Sequence, residues 1–295
     1  MDNRERSQVE NNKQTKVTAL VPAYQAAEFI QPTLDSLSAQ TRGNFDVIIS
    51  VDLCEDDTHA ICQAHARRDP RFRVICQDRR MGYVGNCNFL LGEADADYVL
   101  FAFHDDLLAP AYVEKLCDVL DNRPEAILSF SDLLLTDVDG TRKNLAFTEL
   151  EGIRDPVLRG LTMLRKGVHW WIPNRGVFRL QESRKIRGIK THGAGEFSAD
   201  KPWLFHMSLL GEFARVPETL CHKFFKPGSI TKGWSFTREQ QYEVAAACMR
   251  ELWNSPLSTD QKIRLASPLI ERMESLGRKI HGQPVPLIER LLKRW

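Results

Sequence analysis

Two adjacent carboxylates, Asp105 and Asp106, directly follow His104 and an apolar run at residues 98–103. The run is rich in strand-forming residues, and a buried strand that ends in two charges places them where open α/β sheets bind ligands. Neighbouring carboxylates repel each other, so a cation or ligand hydroxyl groups held between them would explain the pair. The alternative is a solvated turn ahead of a helix that begins near Ala111, with Asp106 as its cap.

The segments around these carboxylates alternate between strands and helices from residue 16 to about residue 132. Apolar runs predict strands at residues 17–21 (ended by Pro22), 45–51, 72–76, 98–103 and 127–131, with amphipathic helices between them. Short connections between alternating elements imply right-handed crossovers and a mainly parallel sheet. Asp52, at the end of the second strand, would then share one edge of the sheet with Asp105 and Asp106.

Beyond residue 132 the pattern becomes less regular and then helical. A turn is predicted at Asp139-Gly140, a helix at residues 201–210 and an edge-like strand at residues 213–216. Three further helices are predicted at residues 240–252, 261–276 and 287–295. We therefore expect a disordered leader at residues 1–15, a main α/β domain at residues 16–235 and a helical C-terminal extension at residues 236–295.

The overall composition argues against several classes of protein. The 295 residues include 40 basic and 39 acidic side chains, so nothing global indicates a nucleic-acid partner. Seven cysteines lack the spacing of a zinc or redox site, and we expect small core side chains in a reducing compartment. The polar first 15 residues predict no signal peptide, and no apolar run approaches the roughly 20 residues of a membrane span. The sequence predicts a cytoplasmic protein.

Several motifs between residues 16 and 231 together resemble the family 2 glycosyltransferases, which have the GT-A fold. They include Val21-Pro-Ala-Tyr24, Val51-Asp52 and the segment Phe103-His-Asp-Asp106, which is similar to the Asp-x-Asp motif of the family. The resemblance implies a Rossmann-like, mainly parallel mixed sheet flanked by helices. It also implies inverting transfer of a sugar from a nucleotide-diphosphate sugar, assisted by a divalent cation, Mn²⁺ or Mg²⁺.

The resemblance assigns the base of the nucleotide to the ends of the first two strands. Pro22 and Tyr24 lie in the opening segment, where the Tyr24 ring would stack on the base unless it is an ordinary core aromatic. The Asp52 carboxylate can only accept hydrogen bonds, which suits the imide N–H of uracil and favours a UDP-sugar. Arg80, in preference to Arg79, would contact the base or the diphosphate, and a surface arginine is the alternative.

The resemblance assigns the diphosphate to the carboxylate pair and to a basic residue near residue 226. Asp106 is the predicted metal ligand, and Asp105 would contact the ribose or the sugar. Phe103 replaces the usual first acid of the motif, so the metal would take its other ligands from phosphate and water. Lys226, with Lys223 as a second choice, would neutralise the leaving diphosphate.

Asp200 resembles the second member of the catalytic Glu-Asp pair of the family, with Ala199 in place of the Glu. Inverting transfer needs one base to take the proton of the acceptor hydroxyl group, so Asp200 is the predicted base and Glu196 the reserve. The alternative is that Asp200 only caps the following helix. Trp170 and Trp171 would either face the acceptor or close the core.

The resemblance extends to partners, which are a nucleotide-diphosphate sugar donor and a saccharide or lipid-linked acceptor of surface polysaccharide or glycolipid assembly. The last predicted helix, residues 287–295, has an apolar face bordered by basic residues. It could lie on an anionic membrane surface or pack against protein. Two other functions stay open, a nucleotidyltransferase acting on a sugar phosphate and a silent sugar-nucleotide-binding scaffold. Phe103 and Ala199 stand where the family usually has carboxylates, and their absence favours the silent scaffold.

Overall fold

The structure, a computed structural model, describes residues 15–165, 167–226 and 233–281. Its strands are β1 (Val17–Ala23), β2 (Phe45–Val51), β3 (Phe72–Cys76), β4 (Tyr98–Phe101), β5 (Asp106–Leu108), β6 (Ala126–Thr136), β7 (Arg142–Leu145), β8 (Val177–Arg179) and β9 (Glu212–Phe224). Within the described residues they form one sheet in the order β3-β2-β1-β4-β8-β6-β9-β5, with β7 beside β6.

Helices cover both faces of this sheet. They are α1 (Ile30–Ser38), α2 (Thr58–Ala66), α3 (Gly82–Glu93), α4 (Tyr112–Asn122), α5 (Pro156–Leu164), α6 (Leu180–Ile186), α7 (Asp200–Leu210), α8 (Arg238–Asn254) and α9 (Thr259–His281). The predicted first helix is confirmed, because α1 buries Ile30, Leu34 and Leu37 on one face. In the described part of the chain, none of the helices combines the length and the apolar character of a membrane span.

The sheet is parallel on one side and mixed on the other, as expected for the predicted fold class. β1 pairs in parallel with both β2 and β4, and β2 pairs in parallel with β3. β8 then enters antiparallel between β4 and β6, and the long β9 runs parallel to β6. The carboxyl ends of β1, β2 and β4 therefore point to the same edge, where Asp52 and residues 103–106 follow.

Pro22 lies inside β1, so the prediction that it ends the strand is wrong. The carbonyl groups of Leu20 and Pro22 both face the β4 side, because they accept hydrogen bonds from the Ala102 amide and the His104 ring. The nitrogen of Pro22 faces the same side, and β4 has already ended at Phe101. Proline is tolerated here because no ladder partner stands opposite its missing N–H.

The strand predicted at residues 98–103 ends two residues early. Residues after Phe101 turn sharply, and the chain resumes as β5, whose Asp106 pairs in register with Lys223 of β9. Asp106 is consequently a buried strand residue rather than a solvated cap of α4, whose own N-cap is Ala111. The turn places Asp105 and Asp106 over the mixed part of the sheet.

Residues 213–216 form the start of β9 and, among the described strands, pair with β6 alone, because β5 meets β9 only at residues 221–223; the edge-like prediction is confirmed. β9 runs for 13 residues between β6 and β5. Its middle, Pro217-Glu-Thr219, is exposed and coincides with a register shift against β6, which explains why the sequence pattern stops there. Five of the seven free cysteines are buried as predicted, Cys54 is partly exposed and Cys76 is exposed.

The helical segment after residue 236 packs on the main sheet domain and shares its core. α8 begins with a capping box, in which the Thr237 hydroxyl group accepts from the Gln240 amide and the Gln240 side chain accepts from the Thr237 amide. Glu251 of α8 is buried and accepts hydrogen bonds from His206 of α7 and from Lys190, both at 2.7 Å. The helix predicted at residues 287–295 lies outside the described residues, as does the leader before Thr15.

Candidate active site

The side chains predicted to hold the nucleotide base come together at the ends of β1 and β2. The Arg80 guanidinium carbon lies 3.4 Å from the centroid of the Tyr24 ring, in a cation–π stack. The same guanidinium forms an ion pair with Asp52. Arg80 therefore covers the face of Tyr24 on which a base would stack, and its side chain remains 41% exposed.

Asp52 is fully buried and organises the loop that carries Arg80. Its Oδ1 accepts hydrogen bonds from the amides of Leu53 at 3.0 Å and Met81 at 2.7 Å, and its Oδ2 accepts from Gly82 at 2.9 Å. With Arg80 as the fourth partner, both oxygens are fully used. A direct hydrogen bond from Asp52 to a base in this site would require Arg80 to move.

The backbone beside Tyr24 is unusual. Gln25 has a φ angle of 44°, in the left-handed region that glycine and asparagine occupy most easily. Glutamine is strained at such an angle, whereas asparagine can adopt it more easily because its short side chain bonds locally. The strained residue turns the chain away from the sheet directly after the Tyr24 ring.

A second group of charges surrounds the carboxylate pair. Asp106 is 2% exposed, and its Oδ2 accepts a hydrogen bond from Nε of Arg175 at 2.6 Å. The Lys223 ammonium group lies 3.8 Å from Oδ1 of Asp106 and 3.9 Å from Oδ2 of Asp105. Burial opposes ionisation of Asp105, but Lys223, then His104, Arg175 and Lys226, lower its pKa below the ordinary value. The Asp105 carboxylate is thus held in its charged form by nearby cations.

Aromatic rings line the same corner. The Arg175 guanidinium lies 5.1 Å from the ring centroid of Phe103, where the family has an acid, and 5.5 Å from that of Trp171. The His104 ring donates from Nδ1 to the Pro22 carbonyl group at 3.0 Å, which places this histidine in the scaffold and not beside the carboxylates as a ligand. Lys226 extends over the Phe29 ring at 3.3 Å.

The residues of this corner do not fit a divalent cation. Oδ2 of Asp106 is already bonded to Arg175, and the remaining buried oxygen, Oδ1, faces the Lys223 ammonium group without a hydrogen-bond partner. Lys223 stands between the two carboxylates, where an ion would sit. Within the residues that the structure describes, no group of three or more potential ligands (His, Cys, Asp or Glu) comes together. We therefore derive no chemical step through a metal ion.

Asp200, the predicted base, is the first residue of α7 and is connected to the carboxylate pair by two consecutive residues. Asn174 donates from Nδ2 to Oδ2 of Asp200 at 3.1 Å, and its neighbour Arg175 bonds Asp106. Burial raises the pKa of Asp200 to about 6, against the lowering effect of Arg175 and of backbone N–H groups at the helix start. The N-cap of α7 is Ala199, so Asp200 stands one residue inside the helix and not at the cap position.

The short 3₁₀ helix Ile172–Arg175 that carries these two residues lies against β6. Gly176 follows it, and a Cβ atom at this position would come within 2.4 Å of the Ser129 carbonyl oxygen. Tyr112 donates its hydroxyl group to the Arg175 carbonyl group from α4. The turn is therefore fixed to the sheet from two sides.

Glu196, the reserve candidate for the base, binds the N-terminus of α3. Its carboxylate accepts hydrogen bonds from the amides of Tyr83 at 3.2 Å and Val84 at 2.8 Å, in the first turn of α3. A carboxylate at a helix N-terminus satisfies unpaired N–H groups and interacts favourably with the helix dipole. Both oxygens of Glu196 are engaged in this way, which favours Asp200 as the base.

The tandem tryptophans are half-buried and each contacts a cation. Trp170 lies 4.9 Å from the ammonium group of Lys201, and Trp171 lies near Arg175. Burial lowers the pKa of Lys201 to about 8. This lysine, one residue after Asp200, therefore loses its proton more easily than an ordinary lysine does. Both rings are partly buried and pack against the hydrophobic core.

Arg175, Asn174 and Tyr83 are central to the site, and the sequence analysis did not assign roles to them. Burial raises the pKa of Tyr83 well above its ordinary value, and its hydroxyl group lies against the Asn174 amide. The sequence did contain a sign of their importance, because the polar pair Asn174-Arg175 interrupts an apolar segment between Ile172 and Val177. Polar residues inside a buried segment require partners, and at this position the partners are the two acids.

The sequence is similar to known proteins of one family. The profile of the family described as "Glycosyl transferase family 2" matches residues 18–167. The succinoglycan biosynthesis protein ExoO of Rhizobium meliloti is 30% identical over 147 residues, which cover 50% of this chain and 41% of ExoO. The chain spans about a third of the length of some curated relatives and about half of others.

Solved structures share the fold at low sequence identity. TarS of S. aureus, solved in complex with UDP-GlcNAc, is similar with a TM-score of 0.69 and 17% identity, over 93% of this chain and 77% of that one. A mannosyltransferase of Pyrobaculum calidifontis, in complex with GDP-Man and Mn²⁺, gives a TM-score of 0.58 and 14% identity, over 96% and 80% of the two chains. The GT-A sheet, the strand-end carboxylates and the matched profile lead to one assignment: this chain belongs to glycosyl transferase family 2.

Proposed function

We propose that this protein is an inverting glycosyltransferase of the hexosyltransferase type, which moves a sugar from a nucleotide-diphosphate sugar to an acceptor hydroxyl group. The observation that carries the proposal is the connection between Asp200 and Asp106 through the consecutive residues Asn174 and Arg175. It brings a base and a charged, cation-rich corner together on one fixed turn. Inverting transfer needs these two elements on opposite sides of the anomeric carbon.

Asp200 has the properties of the base. A pKa of about 6 keeps it ionised at neutral pH while leaving it basic enough to accept a proton in the transition state. Asn174 orients the carboxylate by a hydrogen bond to Oδ2, and the acceptor hydroxyl group would approach Oδ1. As the acceptor oxygen attacks the anomeric carbon, Asp200 takes its proton, and the bond between this carbon and the phosphate oxygen breaks with its electron pair on the nucleotide.

Binding of the donor would use the two charged groups at the sheet edge. The base would stack on Tyr24 after displacing Arg80, and the freed guanidinium group would then pair with the diphosphate. A uracil base is our first choice, in line with the UDP-GlcNAc that TarS binds. Asp105 would contact the ribose or the sugar, and Lys226 would cover the leaving diphosphate.

The acceptor would enter beside Trp170 and Trp171, whose faces suit the C–H groups of a saccharide. A lipid-linked or polysaccharide acceptor is consistent with the succinoglycan biosynthesis role in the name of ExoO. Mn²⁺ accompanies GDP-Man in one structural neighbour, so Mn²⁺ or Mg²⁺ on Asp106 is the cofactor that the family suggests. The engagement of Asp106 with Arg175 does not favour that arrangement.

A panel of nucleotide sugars tests the proposal. Thermal unfolding of the whole protein, followed with UDP-, GDP- and CDP-sugars, should identify the donor, since a ligand at 100 times its Kd stabilises the fold by about 2.7 kcal/mol. Asp200→Asn should then remove turnover and leave donor binding intact, whereas Asp57→Asn at the exposed start of α2 should change neither. Full turnover of the Asp200→Asn variant would refute the assignment of the base. Release of pyrophosphate from a nucleoside triphosphate and a sugar phosphate would indicate a nucleotidyltransferase instead.

A further inference from the structure

The corner around Asp105 and Asp106 brings several cations close to the two carboxylates. Lys223, Arg175 and Lys226 all act on Asp105, and His104 adds to them when protonated. Lys223 and Arg175 are each only 8% exposed, so protein walls hold their charges in place. Glu28 also acts on Lys226, so the corner is a cluster of mixed charge in which buried cations offer donor N–H groups to an anion.

Lys223 occupies the central position among these charges. Strand pairing fixes it, because it stands in register with Asp106 across the β5–β9 ladder. Its ammonium group lies 3.8 Å from Asp106 and 3.9 Å from Asp105, nearly equidistant between them. Neither distance is that of a hydrogen bond, so the three donor N–H groups of the ammonium are not committed to either carboxylate.

Arg175 supports this arrangement from the opposite side. It holds Oδ2 of Asp106, and its guanidinium lies over the Phe103 ring. Phe103 contributes no charge at a position where an acid would attract either a metal ion or the guanidinium itself. The exchange of an acid for a ring therefore makes the corner more cationic.

We propose that the ammonium group of Lys223, supported by Arg175 and Lys226, binds the diphosphate of the donor and neutralises the leaving nucleotide in place of a divalent metal ion. This inference rests on the proposed glycosyl transfer and adds that the transfer is independent of metal. When the bond between the anomeric carbon and the phosphate oxygen breaks, the electron pair stays on the nucleoside diphosphate. Lys223 stabilises the added negative charge, and the proton of the acceptor goes to Asp200.

Calorimetric titration of the whole protein with UDP, GDP and CDP tests the inference in two buffers, one with EDTA and one with Mn²⁺. The best-binding nucleoside diphosphate should show affinities that agree within about threefold in the two buffers. Lys223→Met keeps the unbranched stem and removes the charge, and we expect it to weaken binding in EDTA by about ten- to a hundredfold. Because the carboxylates then lose the cation between them, Mn²⁺ should restore binding to this variant while leaving the wild type unchanged.

Two further variants control for folding and for general charge. Lys223→Arg keeps a cation in the corner and should retain most of the affinity in EDTA. Lys115→Met removes an exposed lysine whose ion-pair partner is Glu218 and not a residue of the corner, and it should leave affinity unchanged in both buffers. Thermal unfolding of each variant confirms that it is folded before titration.

The outcomes separate this inference from the proposed function. Nucleotide binding that falls more than about tenfold in EDTA overturns the metal-independent site while glycosyl transfer stands. Wild-type affinity of Lys223→Met in EDTA overturns it as well. Failure of all three nucleoside diphosphates to bind in either buffer overturns the proposed function, and this inference with it.

Discussion

Arg80 stacks on Tyr24 with its guanidinium carbon 3.4 Å from the ring centroid, so an arginine occupies the surface that a nucleotide base would use. The planar guanidinium resembles a base in shape, and Asp52 beneath it supplies the charge that holds it there. Under the proposed function, binding of a nucleotide would exchange one flat group for another and release Arg80 toward the phosphates.

Arg80→Met should have opposite effects on two ligands. It removes the competitor from the Tyr24 face, so uridine, which has no phosphates, should bind more tightly than to the wild type. UDP should bind less tightly, because the diphosphate loses a cationic partner. Calorimetry with both ligands checks the difference, and Arg79→Met serves as the neighbouring control. Equal changes for uridine and UDP would contradict the exchange.

The pH profile of turnover should reflect Asp200. Because the base must be ionised and its pKa is raised to about 6, kcat/KM should rise tenfold per pH unit below about pH 6 and level off above it. An initial-rate series across this range, with the donor found by thermal shift, measures the profile. A rate independent of pH between about 5 and 7 would mean that another group limits the reaction.

Asp200→Asn should make the protein more stable at neutral pH. The pKa of Asp200 in the folded state, about 6, lies above its ordinary value of 3.8, so the folded state holds the proton more tightly than the unfolded state does. Ionised Asp200 thus destabilises the fold, and this penalty appears as the pH rises from about 4 to above 6. Urea unfolding should show the variant more stable than the wild type at about pH 8 and nearly equal to it at about pH 4.

Glu196→Gln should affect stability and leave the chemistry in place. The amide retains one acceptor for the two N–H groups of α3 and loses the charge at the helix N-terminus, so we expect a loss of about 0.5–2 kcal/mol. Denaturant melts and initial rates on the same preparation measure both effects. Loss of turnover comparable to that of Asp200→Asn would reassign the base to Glu196.

Gln25→Asn should stabilise the fold. At a φ angle of 44° the glutamine is strained, and asparagine occupies this region more easily, so the gain should be up to about 1 kcal/mol. Gln63→Asn makes the same chemical change on ordinary helical backbone in α2 and should bring no gain. A rise in Tm for the first variant alone supports the backbone explanation.

The parallel half of the sheet was predictable because its signals are local. The strands β1 to β4 are short, mostly apolar runs, and α1 shows its buried stripe in the sequence. Other elements were missed although their signals were also local. Asp155 caps α5 and Pro156 occupies its first turn, a standard helix start inside a segment that looked irregular.

The site was predictable only in part, because its decisive contacts are distant along the chain. Asp52, Asp105, Asp106 and Asp200 were found from motifs. The partners of Asp106, however, are 69 residues away at Arg175 and across a strand ladder at Lys223. No spacing rule connects residues that meet through two different strands and a short turn. For the same reason, the sequence did not show that both oxygens of Asp52 accept hydrogen bonds from the loop that carries Arg80.

Gly176 has a consequence for how this protein can diverge. Since a side chain at this position would collide with the Ser129 carbonyl oxygen, the turn bearing Asn174 and Arg175 cannot shift on β6. Under the proposed function, the spacing between the base and the phosphate corner would then be inherited as a unit. Substitutions that broaden or narrow the range of acceptors can accumulate around Trp170 and Trp171 without retuning the reaction itself. Specificity and chemistry are thus free to evolve at different rates within one fold.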